Sequence, residues 1–150
     1  MTPIQINYDI YRSACTPLVG TADGAVCQWP GTACTASTFK LYPEMMPNAE
    51  IKFARWVLSW NPDTGISPTV VRLVAADDGP SIFAELARQT RTNADSPFDD
   101  AIDITAALAP IWLQYQAKGA AFNIGHQTAG NGQNGPIIYG SWIEILFDLT

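Results

Sequence analysis

His126 is the only histidine among 150 residues, so any chemistry that needs an imidazole base has to pass through it. It continues the face of Phe122 and Ile124, a placement that favours a hydrogen-bonded residue at the edge of a core over a working base. The sequence holds no Gly-x-Ser-x-Gly, no His-Glu-x-x-His and no phosphate-cradling glycine loop, and no catalytic residue is expected. Carboxylates gather at Asp77-Asp78 and at Asp95, Asp99, Asp100 and Asp103. Paired acids suit glycoside cleavage or oxygen ligation of calcium. Against both, Asp77-Asp78-Gly79-Pro80 is ordinary turn chemistry and Asp95-Ser96-Pro97-Phe98-Asp99-Asp100 reads as a solvated loop. Cys15, Cys27 and Cys34 are spaced unlike a zinc site and lack a neighbouring histidine, so no metal is expected there. A Cys27–Cys34 bridge and three free, small apolar thiols both remain open readings. The amides of Asn131, Gln133 and Asn134 could bind sugar hydroxyls, with Trp60 or Trp29 as a stacking platform. The competing reading is that Asn and Gly in this stretch simply let the chain reverse.

The elements that must position these groups are mostly strands. Ile4, Ile6, Tyr8 and Ile10 alternate with Gln5, Asn7, Asp9 and Tyr11, the period-two pattern of a strand with one dry face. Glu50 to Trp60 is apolar on both faces, which predicts a central or doubly covered strand. Thr69 to Ala75 is β-branched, and Ile82 to Thr92 is read as a strand between turn signals. Ala101 to Ile104 predicts a short strand. Thr105 can cap a following helix, and Pro110 limits that helix to one or two turns before Gly119. Ala120–Thr128 and Pro136–Leu149 predict a closing β-hairpin. Residues 12 to 37 show no periodicity and are expected to form an irregular loop, an arm toward a neighbour, or a pair of short strands. The whole chain, 1–150, is expected to be one all-β domain: an antiparallel β-sandwich, most economically a jelly roll, with one short helix.

The run Ile102-Asp103-Ile104-Thr105-Ala106-Ala107-Leu108, a spacer, Ala120-Ala121-Phe122-Asn123-Ile124-Gly125 and a final strand are similar to the closing half of galactose-binding-like jelly rolls. The resemblance covers about a third of the chain. It implies a fold that serves carbohydrate-binding modules, appended enzyme domains and structural parts of phage particles alike. It also implies that, of the functions open to the carboxylates, a structural calcium is the one to expect. No other cofactor is implied.

Bulk properties narrow the partners. The net charge is −6, and the eight Lys and Arg residues form no run, which disfavours nucleic acid and an acidic membrane surface. Met1-Thr2-Pro3-Ile4-Gln5-Ile6 does not resemble a secretory signal, so synthesis and assembly in a host cytoplasm are expected. In the last strand Ile137, Tyr139, Ile143, Ile145, Phe147 and Leu149 are assigned to one apolar face. Ile138, Trp142 and Leu146 then interrupt the other face with large apolar groups, a pattern that asks for a second covering. These features together predict a non-enzymatic structural or attachment protein of a phage particle. A capsid decoration or small tail or fibre component would fit, assembled as a homo-oligomer, with a trimer favoured, among other virion proteins. Its interface would include Trp142, Leu146 and Ile138. The alternative is a carbohydrate-binding module using Trp60, Asn131, Gln133 and Asn134.

Overall fold

The computed structural model describes residues 2–12, 18–19, 25–26, 38–61, 69–77, 81–92, 98–129 and 137–150. Its strands in chain order are β1 (Thr2–Arg12), β2 (Leu18–Val19), β3 (Ala25–Val26), β4 (Thr38–Leu41), β5 (Ala49–Asn61), β6 (Thr69–Ala76), β7 (Ile82–Arg91), β8 (Phe98–Asp103), β9 (Phe122–Ala129) and β10 (Ile137–Leu149). One helix, α1 (Thr105–Lys118), lies between β8 and β9. The strands form two antiparallel sheets. The first runs β1-β10-β5-β8, with β2 also on β10, and the second runs β3-β9-β6-β7, with β4 also on β9. Because β5 occupies one flank of β10, β1 and β2 share the other; β3 and β4 share a flank of β9 in the same way. Counted as eight positions, the order is 1-8-3-6 facing 2-7-4-5, the interlocked Greek keys of a jelly roll. The described residues form an all-β antiparallel sandwich with one α-helix.

The expected closing hairpin is not present. β9 pairs with β3, β4 and β6, whereas β10 pairs with β1, β2 and β5, so the chain crosses from one sheet to the other between them. The physical reason is that each strand has a dry face. Phe122 and Ile124 on β9 and Ile143, Ile145 and Phe147 on β10 all enter one buried cluster, and they do so by facing each other across the sandwich. Paired side by side, the two strands would take only one flank each from this arrangement and leave the other sheet without its centre.

The core is filled by Trp56, Leu58 and Trp60 of β5, Val71 and Leu73 of β6, and the β9 and β10 residues just named. Two irregularities set which side chains reach it. The register between β10 and β5 shifts between Ile138 and Gly140, and again where Leu146 faces Phe53 and Phe147 faces Ile51. An extra residue in a strand reverses the in–out alternation beyond it. Ile138 therefore points into the core at 0% exposure, while Tyr139 is left outside. The reading that grouped Ile138 with Trp142 and Leu146 on an outer face is corrected. Ile51 likewise packs against the core and not beside Phe53.

The helix is longer than Pro110 led one to expect, running 14 residues with the proline inside it. Pro110 and Ala106 both lie on the solvent side, where water can take the carbonyl that a proline leaves without its donor. The opposite face holds the helix down. Leu108 and Trp112 are buried, the Trp112 ring lies 4.8 Å from that of Phe147, and Trp112 Nε1 donates to the Ala49 carbonyl at 2.9 Å. Gln116 Nε2 donates to the carbonyls of Met46 and Ala49 at 2.7 and 3.0 Å. Thr105 does not cap the helix as expected. Its hydroxyl accepts from the Ala54 N–H at 2.9 Å, and Asp103 Oδ1 accepts from the Thr105 N–H at 2.8 Å. At the other end Gly119 takes φ +65°, and its N–H closes the last turn on Gln116 O at 3.2 Å.

Within residues 12 to 37 the structure describes Arg12, β2 and β3. Cys15, Cys27, Cys34 and Trp29 lie outside the described residues. No helix among the described residues is long and apolar enough to cross a membrane.

Candidate functional site

Three groups of side chains carry the polar and exposed apolar chemistry. The first is built on His126. With Phe122 and Ile124 it shares the inner face of β9, which brings its ring against β10 and β5. His126 Nε2 lies 2.6 Å from Ser141 Oγ, and Trp56 Nε1 donates to the same oxygen at 2.9 Å. All three residues are fully buried. Burial pushes the imidazole pKa from 6.5 down to about 3, so the ring is neutral. The hydroxyl that accepts from Trp56 keeps a proton and a second lone pair for the neutral ring, and the tautomer of His126 sets which of the two the Nε2 contact uses. The Ser–His pair has the residue types of an activated nucleophile. With no solvent path to either atom, it serves as a polar tie between the sheets. Sequence reading placed His126 near the core and missed Ser141, which only the shifted alternation of β10 turns inward.

The second group closes the flank where β7 and β8 lie. Arg91 of β7 reaches Asp100 Oδ2 with Nη2 at 2.7 Å and the Trp60 carbonyl with Nη1 at 3.2 Å, and its guanidinium sits 5.2 Å from the Trp60 ring centroid. Trp60 Nε1 also donates to Asp100 at 3.3 Å. Asp100 therefore belongs to a strand and a buried ion pair, not to the solvated loop expected for Asp95–Asp100. Asp103 is held below the usual carboxylate range by the Thr105 hydroxyl and the Thr105 N–H. Among the described residues no three His, Cys, Asp or Glu side chains converge in a way that would hold a metal ion. Trp60 is 0% exposed, so the stacking platform expected for a glycan is inside the core. Asn131, Gln133 and Asn134 lie outside the described residues.

The third group lies on the outer face of the first sheet. Strand register aligns Gln5, Leu146 and Phe53 in one row across β1, β10 and β5, and Asn7, Glu144, Arg55 and Asp103 in the next. Trp142 and Val57 follow in a third row. Phe53 is 41% exposed, and Trp142 and Leu146 are half-buried. Gln5, Phe53, Arg55, Glu144 and Leu146 line a shallow depression of about 160 Å³. The Arg55 guanidinium is paired with Glu144 and holds its carboxyl below the usual range, assisted by Trp142 Nε1 at 3.2 Å from Glu144 Oε1. That pair clamps β5 to β10, with Phe53 exposed and Leu146 half-buried on one side of it and Trp142 half-buried beside the buried Val57 on the other. Trp142 and Leu146 were assigned to this face from the sequence. Phe53 was placed on an apolar face of a doubly covered strand, but its exposure was not foreseen.

The outer face of the second sheet has a different character. Arg72 and Arg88 both approach Glu85, at 3.6 and 2.7 Å, while Asn123 and Gln127 are buried. The two outer surfaces thus differ: the first exposes Phe53 beside half-buried Leu146 and Trp142, and the second carries a charged cluster. Comparison with known proteins finds no family model that matches the chain and no matching curated protein.

Proposed function

We propose that this chain is a non-enzymatic structural protein that works by self-association. The context that suits it is a phage particle, as a capsid decoration or small tail or fibre component assembled with other virion proteins. The observation that carries the reading is the asymmetry of the two sheets. The outer surface of the first presents Phe53, with half-buried Leu146 and Trp142, around one ion pair, and that of the second presents Arg72, Glu85 and Arg88. Apolar groups gathered on one sheet surface mark a contact face more often than a solvated one. The jelly roll itself is shared by viral capsid and lectin domains, so it is compatible with the reading without selecting it. The assembly is taken as a homo-oligomer, with a trimer favoured.

Light scattering coupled to size exclusion tests this directly. The wild-type chain should exceed its monomer mass in a concentration-dependent way. Phe53→Asp should return it to monomer with unchanged circular dichroism, because that side chain is already substantially exposed. A wild-type chain that stays monomeric at every concentration overturns the proposal. The particle context is tested separately by the neighbouring genes, where capsid or tail genes would be expected alongside.

A further inference from the structure

Register across the first sheet sorts its outer side chains into rows, and one row is polar on all four strands that it crosses. Asn7 of β1, Glu144 of β10, Arg55 of β5 and Asp103 of β8 are aligned as ladder partners. Gln5, Leu146 and Phe53 make the row on one side of it, and Trp142 and Val57 belong to the row on the other. Successive side chains on one face of a strand are about 7 Å apart. A surface that covers Phe53 and Trp142 together therefore cannot leave the row between them in water. At the centre of that row the Arg55 guanidinium is held by Glu144 Oε2, and Glu144 Oε1 accepts from Trp142 Nε1 at 3.2 Å. Asp103 stands at the end of the row, where its carboxyl already accepts from the Thr105 N–H at 2.8 Å.

We infer that the Arg55–Glu144 pair is a brake on the self-association proposed above, holding that contact weaker than the apolar groups around it would make it by themselves. Covering the pair takes two ions out of water, and their mutual attraction repays the desolvation only where further hydrogen bonds satisfy them. Apolar or neutral side chains of similar size in the same place commonly give the more stable contact. The cost falls chiefly on Arg55, whose side chain is 46% exposed against 17% for Glu144. One pair thus has two opposed effects: it fastens β5 to β10 within a subunit and resists the approach of the next subunit. A contact weakened in this way forms where many copies are brought close together, as on the surface of a larger particle, and not between dilute subunits. This inference rests on the self-association reading and specifies its regulation.

The test is Arg55→Met/Glu144→Gln, which removes one positive and one negative charge, leaves the net charge at −6 and keeps an acceptor for Trp142 Nε1. Sedimentation equilibrium should give an association constant about tenfold or more above that of the wild-type chain, with unchanged circular dichroism. Arg55→Met alone leaves the Glu144 carboxylate without its cation on the contact face and should weaken association, so the single and double variants move in opposite directions. Arg88→Met/Glu85→Gln makes the same exchange on the outer face of the second sheet and should leave the constant unchanged. Adding Phe53→Asp to the first double variant should return it to monomer. A wild-type chain that associates while Arg55→Met/Glu144→Gln is no tighter overturns the brake and leaves the self-association reading standing. A gain that survives Phe53→Asp, or that appears equally with Arg88→Met/Glu85→Gln, overturns it as well, because the association then runs through another surface. Wild-type and double-variant chains that both stay monomeric at every concentration overturn the brake and the reading together.

Discussion

Acid should weaken this protein through one buried ring. The His126 pKa is pushed from 6.5 to about 3 by burial, so the folded chain keeps the imidazole neutral where the unfolded chain protonates it. Between those two values the unfolded state binds more protons, and stability rises with pH. The contribution is fully present above about pH 6.5, falls as the medium is acidified, and is exhausted near pH 3. At about pH 5 the loss is some one and a half pH units of differential protonation, or about 2 kcal/mol. For a chain of this size that lowers Tm by about 4–8 °C. The perturbation is His126→Gln, which keeps an amide beside Ser141 and removes the titration. Glu144 and Asp103, whose pKa values are lowered by their hydrogen bonds, titrate in both proteins and cancel in the difference. Urea unfolding followed by tryptophan fluorescence between about pH 7 and 5 should show the wild-type chain losing about 2 kcal/mol more than the variant. Parallel pH curves for the two proteins would refute the reasoning, because they would mean that the native state protonates the ring as readily as the unfolded one does.

Three further outcomes follow from the helix and its supports. Gly119→Ala should cost about 1 kcal/mol in chemical denaturation; the added methyl meets nothing within 4 Å, so the penalty comes from the φ of +65° alone. Thr105→Val should lower stability by about 1–3 kcal/mol, since the Ala54 N–H loses the hydroxyl that accepts from it. Trp112→Ala should cost about 3–5 kcal/mol through the cavity beside Phe147. Trp112→Phe should cost clearly less, because Gln116 still donates to the Ala49 carbonyl that Trp112 would release. Differential scanning calorimetry ranks the two tryptophan variants.

Alternation along a strand reports which side chains are dry, and that much was legible for β1, β5 and β9. It does not report which strand lies alongside. Phe122, Ile124 and His126 would alternate identically whether β10 sat beside them or across the core from them, so the hairpin expectation failed on pairing and not on the strands. The seven-residue connection from Ala129 to Gly135 was longer than usual for a hairpin loop and carried the only warning. Phase was lost wherever a strand gained a residue. Tyr139 reverses the alternation of β10, which is why Ile138 was assigned outward and Ser141 went unnoticed as a partner for His126. The length of α1 was misjudged because Pro110 was weighed by itself, whereas the buried face of Leu108 and Trp112 decides the matter. Of the outer surface, Trp142 and Leu146 were legible as apolar groups on the wrong side for the core. The Arg55–Glu144 pair between them was not, since its members are 89 residues apart and only register brings them together.

The strands at the centre of both sheets, β9 and β10, come last among the ten described strands. Thr2 finds its place opposite Leu149, and β4 waits for residues 122–125. During synthesis, before β9 and β10 have emerged, the contacts available to strands are those of β6 with β7 and β5 with β8. β1 and β4 have no ladder to join in that interval, and the buried faces of β5 and β6 lack the β9 and β10 side chains that complete their cluster. Long-range pairing of this kind makes folding slow and leaves partly made chains open to association with one another. The charges on β8 and the broken register of β7 therefore guard the two pairs that can form early, during the interval in which nascent chains are most exposed to each other.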